Sequence, residues 1–161
     1  MVQNNQQFYC ANMCFYSVRL RDEKATLLTD EIDTFRNAVR HAMRKHPFLI
    51  NAAVVLPNAA HMIWTLPEGD HADAKRWQMI KATFSRHVPA AVNRSARMIK
   101  RGEKGIWHKS HWKHAIRDQQ DFDLHMHLIA TAPIRAGLVA QPHLWPYGSA
   151  ARRQTPRLHA A

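Results

Sequence analysis

Two apolar runs, FLINAAVVLP (residues 48–57) and HMIWTLP (61–67), are separated by only three residues, Asn58, Ala59 and Ala60. A connection that short joins antiparallel neighbours, whereas parallel strands need a crossover of a dozen residues or more, so the stretch predicts a β-hairpin. A hairpin does not stand alone in water. It needs further strands or helices laid over its apolar faces, and the flanking sequence supplies both. CFYSVRLRD (14–22) is aromatic and β-branched with partial alternation and reads as a first strand. TDEIDTFRNAVRHAMRKH (29–46) reads as a helix, with Thr29 or Asp30 as its cap, acids in the first turn, and Arg44, Lys45 and His46 in the last. Ile32, Phe35, Val39 and Met43 form its apolar stripe, and Pro47 closes it.

Beyond the hairpin, HADAKRWQMIKATFSRHV (71–88) predicts a second helix that buries Trp77, Ile80, Phe84 and Val88. Lys75 and Arg86 project from its opposite face, with Arg76 on a flank. Residues 89–105 show no period and are expected as a mobile loop. IWHKSHWKHAI (106–116) is expected as a strand or strand pair. RDQQDFDLHMHLIATAP (117–133) predicts a third helix capped by Asp118, followed by a short helix and a proline-punctuated segment. The order β-α-β-β-α-β-α makes this an α+β chain: one antiparallel sheet of four or five strands flanked by helices, with a ferredoxin-like template. We expect one domain over residues 1–150 and a basic, frayed tail over 151–161.

Charge narrows the class of partner. Between Lys75 and Arg117 stand twelve lysines and arginines against a single acid, Glu103, so this stretch holds the whole formal surplus of +11. A field so concentrated suits a polyanion, because each neutralised phosphate releases counterions. The residues expected to face nucleic acid are Lys75, Arg76, Lys81, Arg86, Arg101, Lys104, Lys109, His111, Lys113 and Arg117, interleaved with Trp107 and Trp112, which could equally be core or stacking platforms. The N-terminus reads as no secretion signal and no run approaches a membrane span, so a cytoplasmic protein without a membrane partner is expected. Cys10 and Cys14 are expected as free thiols.

The twelve histidines invite a metal reading. His125 and His127 lie two apart on the third predicted helix, about 200° around it, and cannot chelate one ion together. His41 and His46 suit a helix C-terminus.

Several blocks together resemble the REP-associated tyrosine transposases, bacterial relatives of the single-tyrosine HUH transposases. They are VVLPNAAHMIWTLPEGD, RWQMIKATFSR, RGEKGIWHKSHWKHAIRD, APIRAGLV and WPYGS, and the resemblance runs from about Phe8 to Ser149. It implies the HUH endonuclease fold, hairpin-forming repeat DNA as partner, and a magnesium or manganese ion held by two histidines one residue apart. It also implies a helical tyrosine that attacks a single-stranded DNA phosphate and forms a phosphotyrosine link. Carried over by position, His61 matches the second histidine, while the first falls on Ala59. Where the family reads tyrosine, aliphatic, histidine, any residue, asparagine, proline, this chain reads Leu128, Ile129, Ala130, Thr131, Ala132, Pro133.

The expectation is therefore a hairpin- or single-strand-binding protein with no catalytic residue in place. His61 is a remnant ligand that holds a metal weakly or not at all, and Thr131 is a weak substitute nucleophile. Tyr147, or a new pairing of His125 or His127 with His61, would be other routes to rescue. An active metal-dependent nicking and joining enzyme with substituted residues, and an RNA-binding module, are the alternatives.

Overall fold

The computed structural model describes residues 12–154. Four strands, β1 (Met13–Arg19), β2 (Leu49–Val55), β3 (Ala59–Thr65) and β4 (Trp112–Ala115), form one antiparallel sheet in the order β2-β3-β1-β4. That is the ferredoxin-like order expected from the alternation of elements. The hairpin turns at Pro57 and Asn58, so Ala59 and Ala60 belong to β3 and His61 is its third residue rather than its entry.

Period two divides the sheet into two faces with different covers. Tyr16, Val18, Met62 and Trp64 point to one side, where α2 (Ile32–Lys45) and α3 (Asp73–Arg86) pack over them. Trp77 of α3 stacks on Trp64 with ring centroids 4.4 Å apart, and the expected stripe of Trp77, Ile80, Phe84 and Val88 is buried throughout. Phe15, Ala52, Val54 and Ile63 point to the other side, beneath Ile129 and Ala132 of α5 (Gln119–Arg135). Asp118 caps α5 as expected, accepting from the Asp121 N–H at 2.8 Å.

The first helix starts earlier than its acidic pattern suggests. A turn, α1 (Leu27–Asp30), precedes α2, and the two are separated at Glu31. Leu28 is fully buried and its N–H bonds the Pro57 carbonyl, so packing draws the chain into helix before Thr29 and Asp30 can act as caps. The segment expected as a mobile loop is built instead. It contains α4 (Ala96–Lys100), capped by Ser95, and is pinned by Arg94 Nε to Ala91 O at 3.0 Å and Lys104 Nζ to Ser85 O at 2.6 Å. The final helix, α6 (Ser149–Gln154), crosses the expected border between domain and tail. Cys14 is a buried free thiol; Cys10 and residues 155–161 lie outside the described residues.

Candidate functional site

Across the α5 face of the sheet, Val54, His61, Ser17 and Trp112 stand in one register row. Above that row lies a cleft of about 440 Å³, lined by Phe15, Ser17, His61, Trp112, Leu128 and Arg135. The fold thus brings His61 and Leu128 to one cleft, although 67 positions separate them in the chain. Ala59 shares the face of His61 by strand alternation and is half-buried, Ala130 is half-buried, and Ala132 is 4 % exposed within the apolar cluster under α5.

The chemistry of this cleft is sparse. His61 Nδ1 is buried without a hydrogen-bond partner. Burial and the nearby Arg135 charge lower the His61 imidazole to about 4, so it is neutral at physiological pH. Arg135 Nη2 donates to the Leu128 carbonyl at 2.8 Å, which anchors the guanidinium at the C-terminal end of α5. Thr131 Oγ1 donates back to the His127 carbonyl at 2.8 Å and so spends its proton within its own helix. Tyr16 is fully buried on the opposite, α2–α3 face, where burial and the nearby Cys14 and Asp73 push its hydroxyl well above the ordinary tyrosine value. Tyr147 packs against that same core with Arg36 over its ring. Among the described residues, then, no tyrosine hydroxyl reaches the cleft.

These residues do not fit a magnesium or manganese ion. Such an ion wants several oxygen donors in near-octahedral array. Here the cleft offers one imidazole, the single hydroxyl of Ser17 and a guanidinium that repels a cation, and Ala59, two residues from His61 on the same strand face, adds only a methyl.

A histidine held neutral by burial leaves a mark on stability. The unfolded chain takes up a proton near pH 6.5 while folded His61 resists until about 4, so its share of stability is whole above pH 6.5 and drains away as pH falls to 4. The full difference corresponds to about 3.4 kcal/mol at most. In urea melts run over that window, H61L should flatten the pH dependence by an amount of this order; an unchanged profile would contradict the burial of a neutral imidazole.

The basic residues gather elsewhere, along α3 and the segment 102–111. A groove of about 800 Å³ lies between them, with Arg86, Lys104, Trp107 and Lys109 on its walls, and an adjoining one of about 630 Å³ meets Lys81, Lys109 and His111. Lys75, Arg86, Arg101 and Lys109 are exposed as expected, as is Arg117 on the far side of β4. Lys81 is half-buried, its ammonium 5.8 Å from the Trp107 ring and donating to His108 O at 3.2 Å, and burial lowers its pKa.

Three expected contacts sit differently. Arg76 is 1 % exposed rather than on a solvent flank; it donates to Asp70, Ala72 O, His46 O and Pro47 O, tying α3 to the end of α2. Lys104 caps the C-terminal end of α3 through Ser85 O and Val88 O. Lys113 pairs with the buried Asp73 at 2.7 Å. The two tryptophans also part. Trp107 is packed against Phe35 and Phe84, its Nε1 donating to Lys81 O, while Trp112 is 66 % exposed at the mouth of the cleft.

The Phe15 ring packs on both His125, at 4.9 Å between centroids, and His61, at 6.1 Å, and no hydrogen bond joins the two histidines among the described residues. His127 is exposed. His125 instead meets His114 and Asp121. Burial alone would raise the Asp121 carboxyl, yet hydrogen bonds from His114 and Arg117 hold it well below the usual carboxylate range. The spacing of Asp121 and His125 was a readable signal for this cluster, being i,i+4 on a predicted helix.

No family model matches the chain. Individual relatives do. The chain is 38% identical over 135 residues to the REP-associated tyrosine transposase of Escherichia coli (strain K12), covering 84% of this chain and 74% of that protein. It is 32% identical over 150 residues to a putative REP-associated tyrosine transposase of Haemophilus influenzae (strain ATCC 51907 / DSM 11121 / KW20 / Rd), covering 92% and 85%. A solved structure of a REP-associated tyrosine transposase bound to a REP hairpin superposes with a TM-score of 0.75 at 37% identity, covering 88% of this chain and 78% of that one. With identity sustained over most of both chains and the same fold beneath it, this chain belongs to the REP-associated tyrosine transposase family.

Proposed function

We propose that this chain binds hairpin-forming repeat DNA with a single-stranded flank and does not cut it. The observation that carries the reading is the cleft. His61 and Leu128, the remnant ligand and the nucleophile position, line one space, and that space contains no second imidazole, no carboxylate and no phenol among the described residues. A leucine cannot attack phosphorus, and one imidazole beside Arg135 is poor company for a divalent cation. The binding surface has no such deficit. Exposed Arg86 and Lys109 border the groove along α3, and exposed Trp112 stands ready to stack a base beside the cleft. The relative of known structure is bound to a REP hairpin, which supports DNA rather than RNA as the partner. No helix among the described residues is long and apolar enough to cross a membrane.

Fluorescence anisotropy against a labelled hairpin across a salt series tests the surface. Affinity should fall steeply with salt. R86A combined with K109A should reduce the slope of log K against log salt by about 1–2, since each lost phosphate contact removes about 0.7–0.9. W112A should weaken binding of the flanked hairpin about tenfold, the loss of roughly one stacked base, and leave the salt slope unchanged. Salt-insensitive affinity, or equal affinity for a matched RNA hairpin, would count against the assignment.

A further inference from the structure

We propose that the chain carries a metal site of its own, made by His114, Asp121 and His125, that takes one borderline divalent transition ion of the zinc or cobalt type. One donor atom from each of these residues lies within 4.8 Å of the others, and among the described residues no other trio of histidine, cysteine or acid converges so closely. His114 Nε2 is 2.9 Å from Asp121 Oδ2, and His125 Nδ1 is 3.2 Å from Asp121 Oδ1. The edge between two ligands in a tetrahedral zinc site is about 3.3 Å, given bonds of about 2.0–2.1 Å; each histidine already stands near that distance from the carboxylate, one from each of its oxygens, so a turn of the carboxylate and a closing of donors now within 4.8 Å of one another would seat the ion.

The placement is that of a chelate rather than a chance surface cluster. Asp121 and His125 stand at i,i+4 on one face of α5, the spacing that lets two helical side chains share an ion. His114 comes from β4, in register with Phe15, and so rises from the sheet face that α5 covers. Asp121 and His125 are buried, and His114 is 29% exposed along its side chain, which leaves an entry path and an open coordination position. The second shell is present as well. The Arg117 N–H and Nε both donate to Asp121 Oδ2 and orient the carboxylate, leaving Oδ1 to turn toward a metal. Two imidazoles and one carboxylate favour zinc, cobalt or nickel over magnesium and calcium, which prefer oxygen alone. Binding releases the protons now shared with Asp121 by the facing ring nitrogens, one of which also meets the Asp121 carbonyl at 2.8 Å. The ion would staple β4 to α5, and it would sit behind Phe15, apart from His61.

Cobalt(II) titrated into the full chain, stripped of metal beforehand and read by visible absorption, tests this. We expect one equivalent with the intense bands of four- or five-coordinate cobalt, displaced by zinc. Saturation should raise Tm by on the order of 5 °C or more at a hundredfold excess over Kd. H125A and H114A should each abolish the bands, while H61A keeps them. As these variants also remove a hydrogen-bonded clamp, histidine ring resonances of the unaltered protein give a second readout. Zinc should shift two imidazoles, assigned to His114 and His125, and leave that of His61 in place. Absence of stoichiometric binding, bands that survive H125A, or bands lost in H61A would each overturn the proposal.

Discussion

Restoring A59H, L128Y, A130H and A132N together should convert this chain from one that leaves a flanked DNA hairpin intact into one that forms a manganese-dependent covalent link to it. The scaffold is already in place: Leu128 and His61 line one cleft of about 440 Å³, with room there for a larger ring at position 128. Histidine at 59 would share the β3 face of His61 and supply the second imidazole. Removing a nucleophile or its activating group costs many orders of magnitude in rate, so the gain in adduct formation should be at least about 10³-fold. L128Y alone should give no adduct, since the phenol would lack a metal-polarised phosphate, and A59H alone should bind manganese without cutting. Ala132 is packed within the apolar cluster, so the asparagine there carries the main steric cost. The triple variant that keeps Ala132 separates that cost from the chemistry. Denaturing gels read adduct formation in each variant, and calorimetric titration reads manganese binding by A59H. Adduct formation by the unaltered chain at the level of the restored one would show that the four positions are not what separates the two.

R76M should be the most damaging substitution for the fold. All five N–H groups of Arg76 are engaged, two with Asp70 and three with the carbonyls of His46, Pro47 and Ala72. Methionine fills much of the volume but leaves those acceptors without their donors at a position 1 % exposed. Removing one partner of a buried ion pair costs about 3–5 kcal/mol; because Asp70 is 30% exposed and can rehydrate, we expect the lower end, about 3 kcal/mol, and a fall in Tm of roughly 10 °C. Affinity for hairpin DNA per folded molecule should be unchanged, because Arg76 has no exposed surface to offer a phosphate. A weakened, less salt-sensitive complex without loss of Tm would restore Arg76 to the binding surface instead.

Arg76 also marks where reading the sequence reaches its limit. Helical periodicity identified Trp77, Ile80, Phe84 and Val88 as the buried stripe and placed Arg76 beside it, but it could not show that the carbonyls ending α2, thirty residues earlier, would close over the guanidinium. The hairpin was legible because three residues leave no other way to connect two apolar strands. The helix at Ala96–Lys100 was not, since it is barely more than a turn and its one local signal is the Ser95 cap. Trp107 and Trp112 could not be separated by composition. Strand register decides between them, one bridged to Leu20 and packed on phenylalanines, the other turned outward opposite Ser17. At the site, family resemblance named Ala59, Leu128, Ala130 and Ala132, but no local pattern indicated that Arg135 would share the cleft. The cluster of His114, Asp121 and His125 was half visible as a helical i,i+4 pair; its third member needed the pairing of β4 with β1.

Binding without cleavage is open to one direct experiment. The purified chain is mixed with a labelled hairpin carrying a single-stranded flank, manganese is added, and each sample is divided between a native and a denaturing gel. A shifted complex is expected on the native gel, and full-length, protein-free DNA on the denaturing one. A shortened strand or a band covalently joined to protein, abolished by substituting a candidate nucleophile, would contradict it.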